Sequence, residues 1–185
     1  MVYAQERDRE DGKHKRELWT AKQPHTNCNS LVFLDKSGMN IDLTRRYGRG
    51  RRASRVWDKV PLNTPKSTTV LSSIRLDGDM ICSYFQGAMT GDIFLNYVRE
   101  QLVPHLRAGD IVVMDNLRAH KVHGVQQAIE SAGASLAYLP PYSPDFNPIE
   151  MLWSKLKAVL RKVKARSLTA LHSALPLALG GGYSF

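Results

Sequence analysis

The sequence has few cysteines and no long hydrophobic run. Only two cysteines occur, Cys28 and Cys82, and they cannot build a disulfide framework or a paired-cysteine metal site. No apolar stretch approaches the roughly 18–20 residues of a transmembrane helix, which excludes a membrane span. The N-terminus is densely charged and lacks the apolar core of a signal peptide. These absences favour a reducing, cytoplasmic (nucleoid-associated) location.

The signatures of several enzyme classes are also missing. No glycine-rich phosphate-binding loop is present, so nucleotide hydrolysis has no support. Patterns typical of a serine or cysteine nucleophile do not occur either. His120 and His123 are spaced like zinc ligands, but no further ligands stand at a matching separation, so we do not expect a zinc site.

Positive charge is in excess. Lys and Arg number 26 against 17 Asp and Glu, which gives a formal net charge of +9. Such a balance suits a polyanionic partner, nucleic acid first and an anionic membrane surface second, although it also fits a protein that is merely soluble and basic. With 185 residues and 43% hydrophobic content, the chain is long and apolar enough for one domain with a core.

The apolar pattern predicts an α/β protein. Short apolar or β-branched runs predict strands over 31–35, 67–76, 80–89, 111–115 and 135–140. Helical spacing predicts helices over 92–106, 121–132, 148–165 and 168–179. A hairpin that leads into strand–helix–strand crossovers implies a mixed sheet with helices covering its faces.

Two of the predicted strands end in an aspartate, Asp35 and Asp115. In sheets with crossover helices, ligands bind beyond the carboxyl ends of the strands. A carboxylate beside a core strand is costly unless it is paired, solvated or bound to a cation. Either aspartate alone could instead begin a solvated turn, but the two together indicate a shared site.

A third acid, Glu150, lies at the start of a predicted helix, after the proline-rich segment PPYSPDFNP. Asn147 suits the N-cap and Pro148 the first turn, so Glu150 could be only a capping-box residue. The prolines stiffen this approach, however, and a helix start can aim a carboxylate rigidly. If the three acids converge, Mg²⁺ or Mn²⁺ would relieve their repulsion, and two ions per site could drive in-line phosphoryl transfer.

Three segments, LVFLDKSG, VVMDNLRAHK and LPPYSPDFNPIEMLWSKLK, together resemble the DDE transposases of the mariner-like superfamily, especially bacterial insertion-sequence members. Thirty-four residues separate Asp115 from Glu150, a separation typical of that family. The resemblance implies a ribonuclease-H-like fold in which Asp35, Asp115 and Glu150 are the catalytic and metal-binding residues. Asn116 would then orient Asp115 or the phosphate.

The sequence divides into three predicted regions, and the resemblance covers the middle one. A charged arm or helix over 1–29 precedes the catalytic domain at 30–166, and a C-terminal helix and frayed tail follow at 167–185. Relatives usually begin with a helix-turn-helix region, which this sequence lacks, and its last residues do not look like the expected continuation. We therefore expect a truncated or frame-shifted product, or half of a split reading frame.

One residue beside the expected site also departs from the family's pattern. Relatives often have an acidic residue directly after the first aspartate, where this chain has Lys36. Neighbouring residues on a strand point to opposite faces, so Lys36 need not enter the site that Asp35 faces.

Basic residues flank the expected site, in a loop after the first strand and on the helix that begins with Glu150. His120 and Lys121 are expected near the site entrance, where they would touch phosphate. Such contacts would position double-stranded DNA and weaken steeply with salt, although each basic run could also be a solvated face. The residues expected to contact DNA are Arg45, Arg46, Arg49, Arg51, Arg52, His120, Lys121, Lys155 and Lys157.

By this resemblance, the sequence predicts a transposase catalytic domain that cleaves DNA and transfers strands at transposon ends. Because two ends must be joined, the complete protein is expected to form a homodimer. Two alternatives stay open. One is a truncated, inactive remnant that only binds DNA, and the other is a ribonuclease-H-like nuclease that acts on RNA or on particular DNA structures.

Overall fold

The computed structural model of the chain describes residues 9–45, 47–62, 64 and 67–180. Arg46, the first eight residues of the predicted arm and residues 181–185 of the predicted tail lie outside these ranges. The strands are β1 (Leu31–Met39), β2 (Thr68–Arg75), β3 (Met80–Gln86), β4 (Ile111–Met114) and β5 (Ser135–Tyr138). The α-helices are α1 (Glu10–Lys22), α2 (Gly91–Tyr97), α3 (Val125–Ser131), α4 (Ile149–Val163) and α5 (Leu168–Ala178).

The five strands form one mixed sheet in the order β3-β2-β1-β4-β5. The hairpin half is antiparallel, with β1 paired to β2 and β2 paired to β3. The crossover half is parallel, with β1 paired to β4 and β4 paired to β5. This mixed sheet confirms the α/β class predicted from the sequence.

Helices cover both faces of the sheet and enclose two hydrophobic cores. On one face, α4 and α5 pack against side chains such as Met39 and Val70. On the other face, the α2 and α3 regions pack against side chains such as Leu34 and Met114. Each fully buried large apolar side chain contributes roughly 1.5–3 kcal/mol to folding. The sheet therefore lies between two layers of helices. The carboxyl ends of its paired strands β1 and β4 stay open.

In the sequence, apolar residues recur at helical spacing over helix α4 and predict a core-facing stripe made of Ile149, Leu152, Trp153, Leu156, Val159, Leu160 and Val163. Helix α4 buries much of this stripe. Its buried residues are Ile149, Trp153, Leu156 and Leu160. Val163, which belongs to the predicted stripe, is 53% exposed at the end of the helix. The spacing of the buried residues fixes which face of α4 meets the sheet, and so where its first turn lies.

Two elements differ in length from their predictions. Strand β1 continues beyond Asp35 to Met39 because its antiparallel pairing with β2 extends that far, whereas its parallel pairing with β4 ends at Leu34. Helix α3 begins at Val125 rather than at residue 121. Gly124 takes a φ of 94°, which an α-helix does not accommodate, and a separate 3₁₀ turn occupies Arg118–Lys121.

The predicted helix over 92–106 is present but is not α-helical throughout. After α2, a π-helical turn spans Val98–Leu102. A 3₁₀ turn that contains Pro104 then spans Val103–His105. None of the helices in the described ranges combines the length and apolarity that crossing a bilayer requires.

A buried ion pair joins the ends of β2 and β4 that lie away from Asp35. Arg75 donates from Nη1 to Asp110 Oδ1 at 2.9 Å and from Nη2 to Asp110 Oδ2 at 2.5 Å. The guanidinium also donates to the carbonyl oxygen of His105 at 3.0 Å. The hydrogen bonds from Arg75 hold the pKa of the Asp110 carboxyl below its usual range. This pair fixes the sheet at one end and leaves the other end for the candidate site.

Candidate active site

Three acids from three different elements line one pocket of about 560 Å³. Asp35 lies on β1, Asp115 directly follows β4, and Glu150 lies in the first turn of α4. Leu34 on β1 is paired with Met114 on β4, and Asp35 and Asp115 directly follow these two residues. The parallel register therefore brings the two aspartates together just beyond the point where the β1–β4 pairing ends, as expected for a site at the carboxyl ends of paired parallel strands.

Asp35 is the most buried of the three acids and accepts hydrogen bonds from three donors. Its residue is 6% exposed. Oδ1 accepts from the Lys36 backbone N–H at 2.7 Å, and Oδ2 accepts from Trp153 Nε1 at 3.1 Å and Asn147 Nδ2 at 3.4 Å. The pKa of Asp35 is raised to about 6, chiefly by burial and to a smaller extent by the nearby Asp115 and Glu150, against the lowering effect of the Lys36 and Trp153 hydrogen bonds. Ionising this carboxyl is therefore costly without a cation.

Asn147 and Trp153 are site residues that sequence reasoning assigned elsewhere. The N-cap of α4 is Pro148, and no side chain caps the helix, so the capping box that the sequence allowed between Asn147 and Glu150 as an alternative does not form. The Asn147 amide instead turns toward Asp35, while its own Oδ1 is buried with no partner among the described residues. Trp153 packs in the core as predicted, but its indole N–H reaches Asp35. Glu150 is exposed and is left free of a capping role.

Asp115 is held by a histidine from the same connection. Its Oδ1 lies 2.6 Å from His120 Nδ1 and accepts the Leu117 backbone N–H at 3.2 Å. The Asp115 side chain is 37% exposed, whereas that of His120 is 0% exposed. The 3₁₀ turn folds the imidazole inward against Phe94, with ring centroids 4.4 Å apart. His120 is thus not available for the phosphate contact predicted from the sequence, and this part of the prediction is wrong.

Asn116, Lys121 and Lys36 lie around the pocket in different ways. Asn116 Nδ2 donates to the carbonyl oxygen of Leu139, which ties the loop after β4 to the end of β5 rather than to Asp115. Lys121 is exposed, with its Nζ 5.2 Å from the Tyr138 ring centroid. Lys36 is also exposed and borders the pocket, although strand alternation suggested that it need not enter the site.

The basic residues predicted to contact DNA lie on the surface. Arg45, Arg49, Arg51 and Arg52 are exposed in the loop between β1 and β2. On α4, Lys155 is exposed and Lys157 is partly so. We call the segment 45–52, which carries these arginines, the arginine loop. The chain that leads into it is held by Arg166, whose Nη1 donates to the carbonyl oxygens of Ile41 and Leu43 at 3.0 and 2.9 Å. The exposure of these loop arginines and α4 lysines is compatible with DNA contact, which stays a prediction.

The three acids line one pocket, but their side chains are not close enough together to form a metal-binding cluster. Within the part of the chain that the structure describes, no three His, Cys, Asp or Glu side chains stand close enough to hold an ion together. Asp35 and Asp115 are each fixed by hydrogen bonds, whereas Glu150 makes none with its side chain among the described residues. The arrangement can therefore offer carboxylate oxygens from three sides to a ligand that enters the pocket.

The fold and this pocket define a ribonuclease-H-like domain with three acids at one edge of its sheet. The model of a protein family described as "DDE superfamily endonuclease" matches residues 30–172 of the chain. The chain belongs to this family, as its three sequence segments predicted. No curated protein sequence matches the chain.

Solved structures of Mos1 transposase have the same fold. The Mos1 strand transfer complex is 16% identical, with a TM-score of 0.73 over 94% of this chain and 54% of that chain. The Mos1 mariner paired-end complex with Mn is 15% identical, with a TM-score of 0.74 over 97% and 57% of the two chains. The catalytic domain of Mos1 mariner transposase is 14% identical, with a TM-score of 0.64 over 96% and 84%. These matches confirm the ribonuclease-H-like fold, and the chain spans just over half the length of the Mos1 chains in the two complexes.

Proposed function

We propose that this chain is the catalytic domain of a DNA transposase, which cleaves DNA strands and transfers them at transposon ends. The observation that carries the proposal is the single pocket lined by Asp35, Asp115 and Glu150. Membership of the DDE superfamily endonuclease family supports the same chemistry. The predicted division into an arm, a catalytic domain at 30–166 and a C-terminal helix is part of this proposal.

The chemistry of the three acids suits divalent cations, and we propose Mg²⁺ or Mn²⁺, two per site. Hard oxygen ligands favour these ions. Asp35 is buried, with a pKa raised to about 6, so a cation would relieve the cost of its charge. Glu150 is exposed at the start of α4 and is free to turn toward ions shared with the two aspartates. When bound, such ions would activate a water or a 3′-hydroxyl and stabilise the leaving oxygen.

The partner that we propose is double-stranded DNA, bound by two copies of the protein when transposon ends are joined. One of the similar Mos1 structures is described as a paired-end complex with a left transposon end. In this chain, Asn116 and Lys121 border the space beside the acids, and the exposed arginines lie in the loop that leaves β1. The positive charges of Lys121 and of these arginines would neutralise phosphates and position the duplex without specifying its sequence.

Cleavage of labelled DNA by the purified chain tests the proposal. Intact duplex, pre-nicked duplex and an RNA–DNA hybrid are incubated with Mn²⁺, and the products are resolved on a denaturing gel. We expect strand cleavage of duplex DNA that stops when the metal is chelated. Binding without cleavage, even of pre-nicked DNA, would identify an inactive remnant. Preference for the hybrid would identify a different ribonuclease-H-like nuclease.

The arginine loop is expected to supply part of the salt-dependent affinity. Replacing Arg49, Arg51 and Arg52 together with alanine should weaken DNA binding and reduce the slope of log affinity against log salt by about 2 to 3, since each lost phosphate contact removes about 0.9. Fluorescence anisotropy over a range of NaCl concentrations measures this slope. Arg107→Ala is the matched control because Arg107 is 62% exposed but lies near the Arg75–Asp110 end of the sheet. An unchanged slope in the triple variant would show that the loop does not contact phosphate.

A further inference from the structure

His120 makes all of its side-chain polar contacts with one residue, Asp115. The imidazole is fully buried, and its Nδ1 lies 2.6 Å from Asp115 Oδ1 and 3.4 Å from the Asp115 carbonyl oxygen. Its other nitrogen, Nε2, is buried and has no hydrogen-bond partner within the described residues. Most buried side-chain polar atoms have a hydrogen-bond partner, and each one that has none calls for an explanation. This arrangement needs an explanation beyond packing.

The surroundings of the ring hold its donor in one direction. A carboxylate oxygen can only accept a hydrogen bond, so Nδ1 carries the hydrogen that points at Asp115. One face of the imidazole packs on Phe94, with an angle of 33° between the rings. The His120 backbone is tied at both of its polar atoms, since its N–H donates to the Leu117 carbonyl oxygen at 3.0 Å and its own carbonyl oxygen accepts from Tyr138 Oη at 3.4 Å. The ring is thus fixed without a ligand in the pocket.

The contacts of Asp115 are unevenly divided between its two oxygens. Oδ1 accepts both the His120 Nδ1–H and the Leu117 backbone N–H. No hydrogen bond to Oδ2 is found among the described residues. One oxygen therefore fixes the orientation of the carboxylate, and the other keeps its lone pairs for a ligand.

We propose that His120 is a positioning residue, whose Nδ1–H orients the Asp115 carboxylate so that Oδ2 can bind a divalent cation. The metal-binding part of this inference rests on the proposed function, whereas the hydrogen bond does not. Partners of this kind fix the direction of a metal ligand, and their loss typically lowers metal affinity about 10–100-fold. His120 acts through Asp115 and does not touch the reacting atoms.

Two substitutions separate the donor from the ring. His120→Phe keeps an aromatic ring against Phe94 but has no donor, whereas His120→Asn keeps an N–H one bond beyond Cγ, where Nδ1 stands in histidine. His172→Phe is the matched control, because His172 also makes one hydrogen bond, to Thr68 at 3.1 Å, but packs against Tyr84 away from the pocket. Binding of Mn²⁺ to the full chain is measured by electron paramagnetic resonance of the free ion. Urea unfolding of each metal-free variant is followed in parallel.

We expect His120→Phe to weaken Mn²⁺ binding about 10–100-fold and His120→Asn to retain most of the affinity. His172→Phe should bind Mn²⁺ as the wild type does. Because the loss lies in metal affinity, raising the Mn²⁺ concentration should restore much of the cleavage by His120→Phe. Unchanged Mn²⁺ affinity in His120→Phe would overturn the positioning role alone. Equal losses in His120→Phe and His120→Asn would overturn it too, since the donor would then be irrelevant.

A metal-free measurement tests the hydrogen bond itself. In protein labelled with ¹⁵N-histidine, the His120 spectrum should show a hydrogen on Nδ1 that is protected from exchange, and Asp115→Ala should remove that protection. A hydrogen found only on Nε2 would overturn the inference. A wild-type protein with the Nδ1 signature but no Mn²⁺ binding would instead overturn the proposed function, and with it the purpose that we assign to the bond.

Discussion

Replacing Asp115 with alanine is expected to lower the rate of Mn²⁺-dependent strand cleavage at least about a thousandfold while the protein stays folded. A metal ligand at a phosphoryl-transfer site contributes several kcal/mol to the transition state, and each 1.36 kcal/mol is a factor of ten in rate. The Asp115 side chain is 37% exposed and lies outside both hydrophobic cores, so its loss creates no core cavity. Single-turnover cleavage of labelled duplex DNA measures the rate, and circular dichroism monitors the fold.

The matched control for this variant is Asp77→Ala. Asp77 is also an aspartate in a connection after a strand, but it lies in the β2–β3 turn, with a side chain that is 56% exposed. We expect normal cleavage from this control. Asp35→Ala and Glu150→Ala should each lose as much activity as Asp115→Ala, and combining them should add little, because residues that act as one unit are not additive. Normal cleavage by the Asp115 variant would remove the basis of the proposed function.

The local sequence was informative wherever backbone pairing decides the position of a residue. An apolar run that ends in an acid identifies a buried strand, and parallel pairing brings such ends to one edge of a sheet. The β1–β4 register follows this logic, since Leu34 is opposite Met114. Glu150 is placed by the packing of α4, whose apolar spacing was also visible in the sequence. The approach of Asp35 and Asp115 could therefore be predicted from apolar patterning, whereas the place of Glu150 beside them was predicted only through the resemblance to the DDE transposases.

The partners of the acids could not be found in the same way. Asn147 has the sequence signature of a helix cap, Trp153 that of a core residue, and His120 that of a basic residue beside a phosphate site. Each of these interpretations uses neighbours in the chain, but the observed hydrogen bonds of Asn147 and Trp153 reach Asp35 across more than a hundred positions. His120 contacts Asp115 only because a 3₁₀ turn points the imidazole inward. Side-chain direction depends on the local backbone conformation, which residue spacing alone does not give.

In the metal-free protein, Asp35 is expected to make stability fall as pH rises from about 4 to about 6. Burial raises the pKa of Asp35 from 3.8 to about 6 in the folded state. Between these two values the folded chain holds a proton that the unfolded chain has released, so the free energy of unfolding falls with rising pH. The loss is complete above pH 6 and amounts to about 3 kcal/mol. Urea unfolding at pH 4 and pH 7.5 measures it.

The variant Asp35→Asn isolates this contribution, because asparagine has nearly the same shape and carries no charge. Asp110 acts in the opposite direction at lower pH, since its lowered pKa makes stability fall as pH falls, but that effect is common to both proteins. The free energy of unfolding of Asp35→Asn, relative to that of the wild type, should therefore be larger at pH 7.5 than at pH 4. If the wild type gains instead, the hydrogen bonds from Trp153 and Asn147 outweigh burial, and Asp35 is held as a carboxylate without any cation.

Adding Mn²⁺ at pH 7.5 should reverse the loss in the wild type. A ligand that binds only the folded state at a hundred times its dissociation constant stabilises that state by about 2.7 kcal/mol. Asp35→Asn should gain much less, because an amide oxygen is a weaker ligand and there is no buried charge to neutralise. Equal stabilisation of the two proteins would mean that the ion binds elsewhere. Asp35 would then destabilise the metal-free protein without a role in metal binding. The pocket would in that case not be the active site.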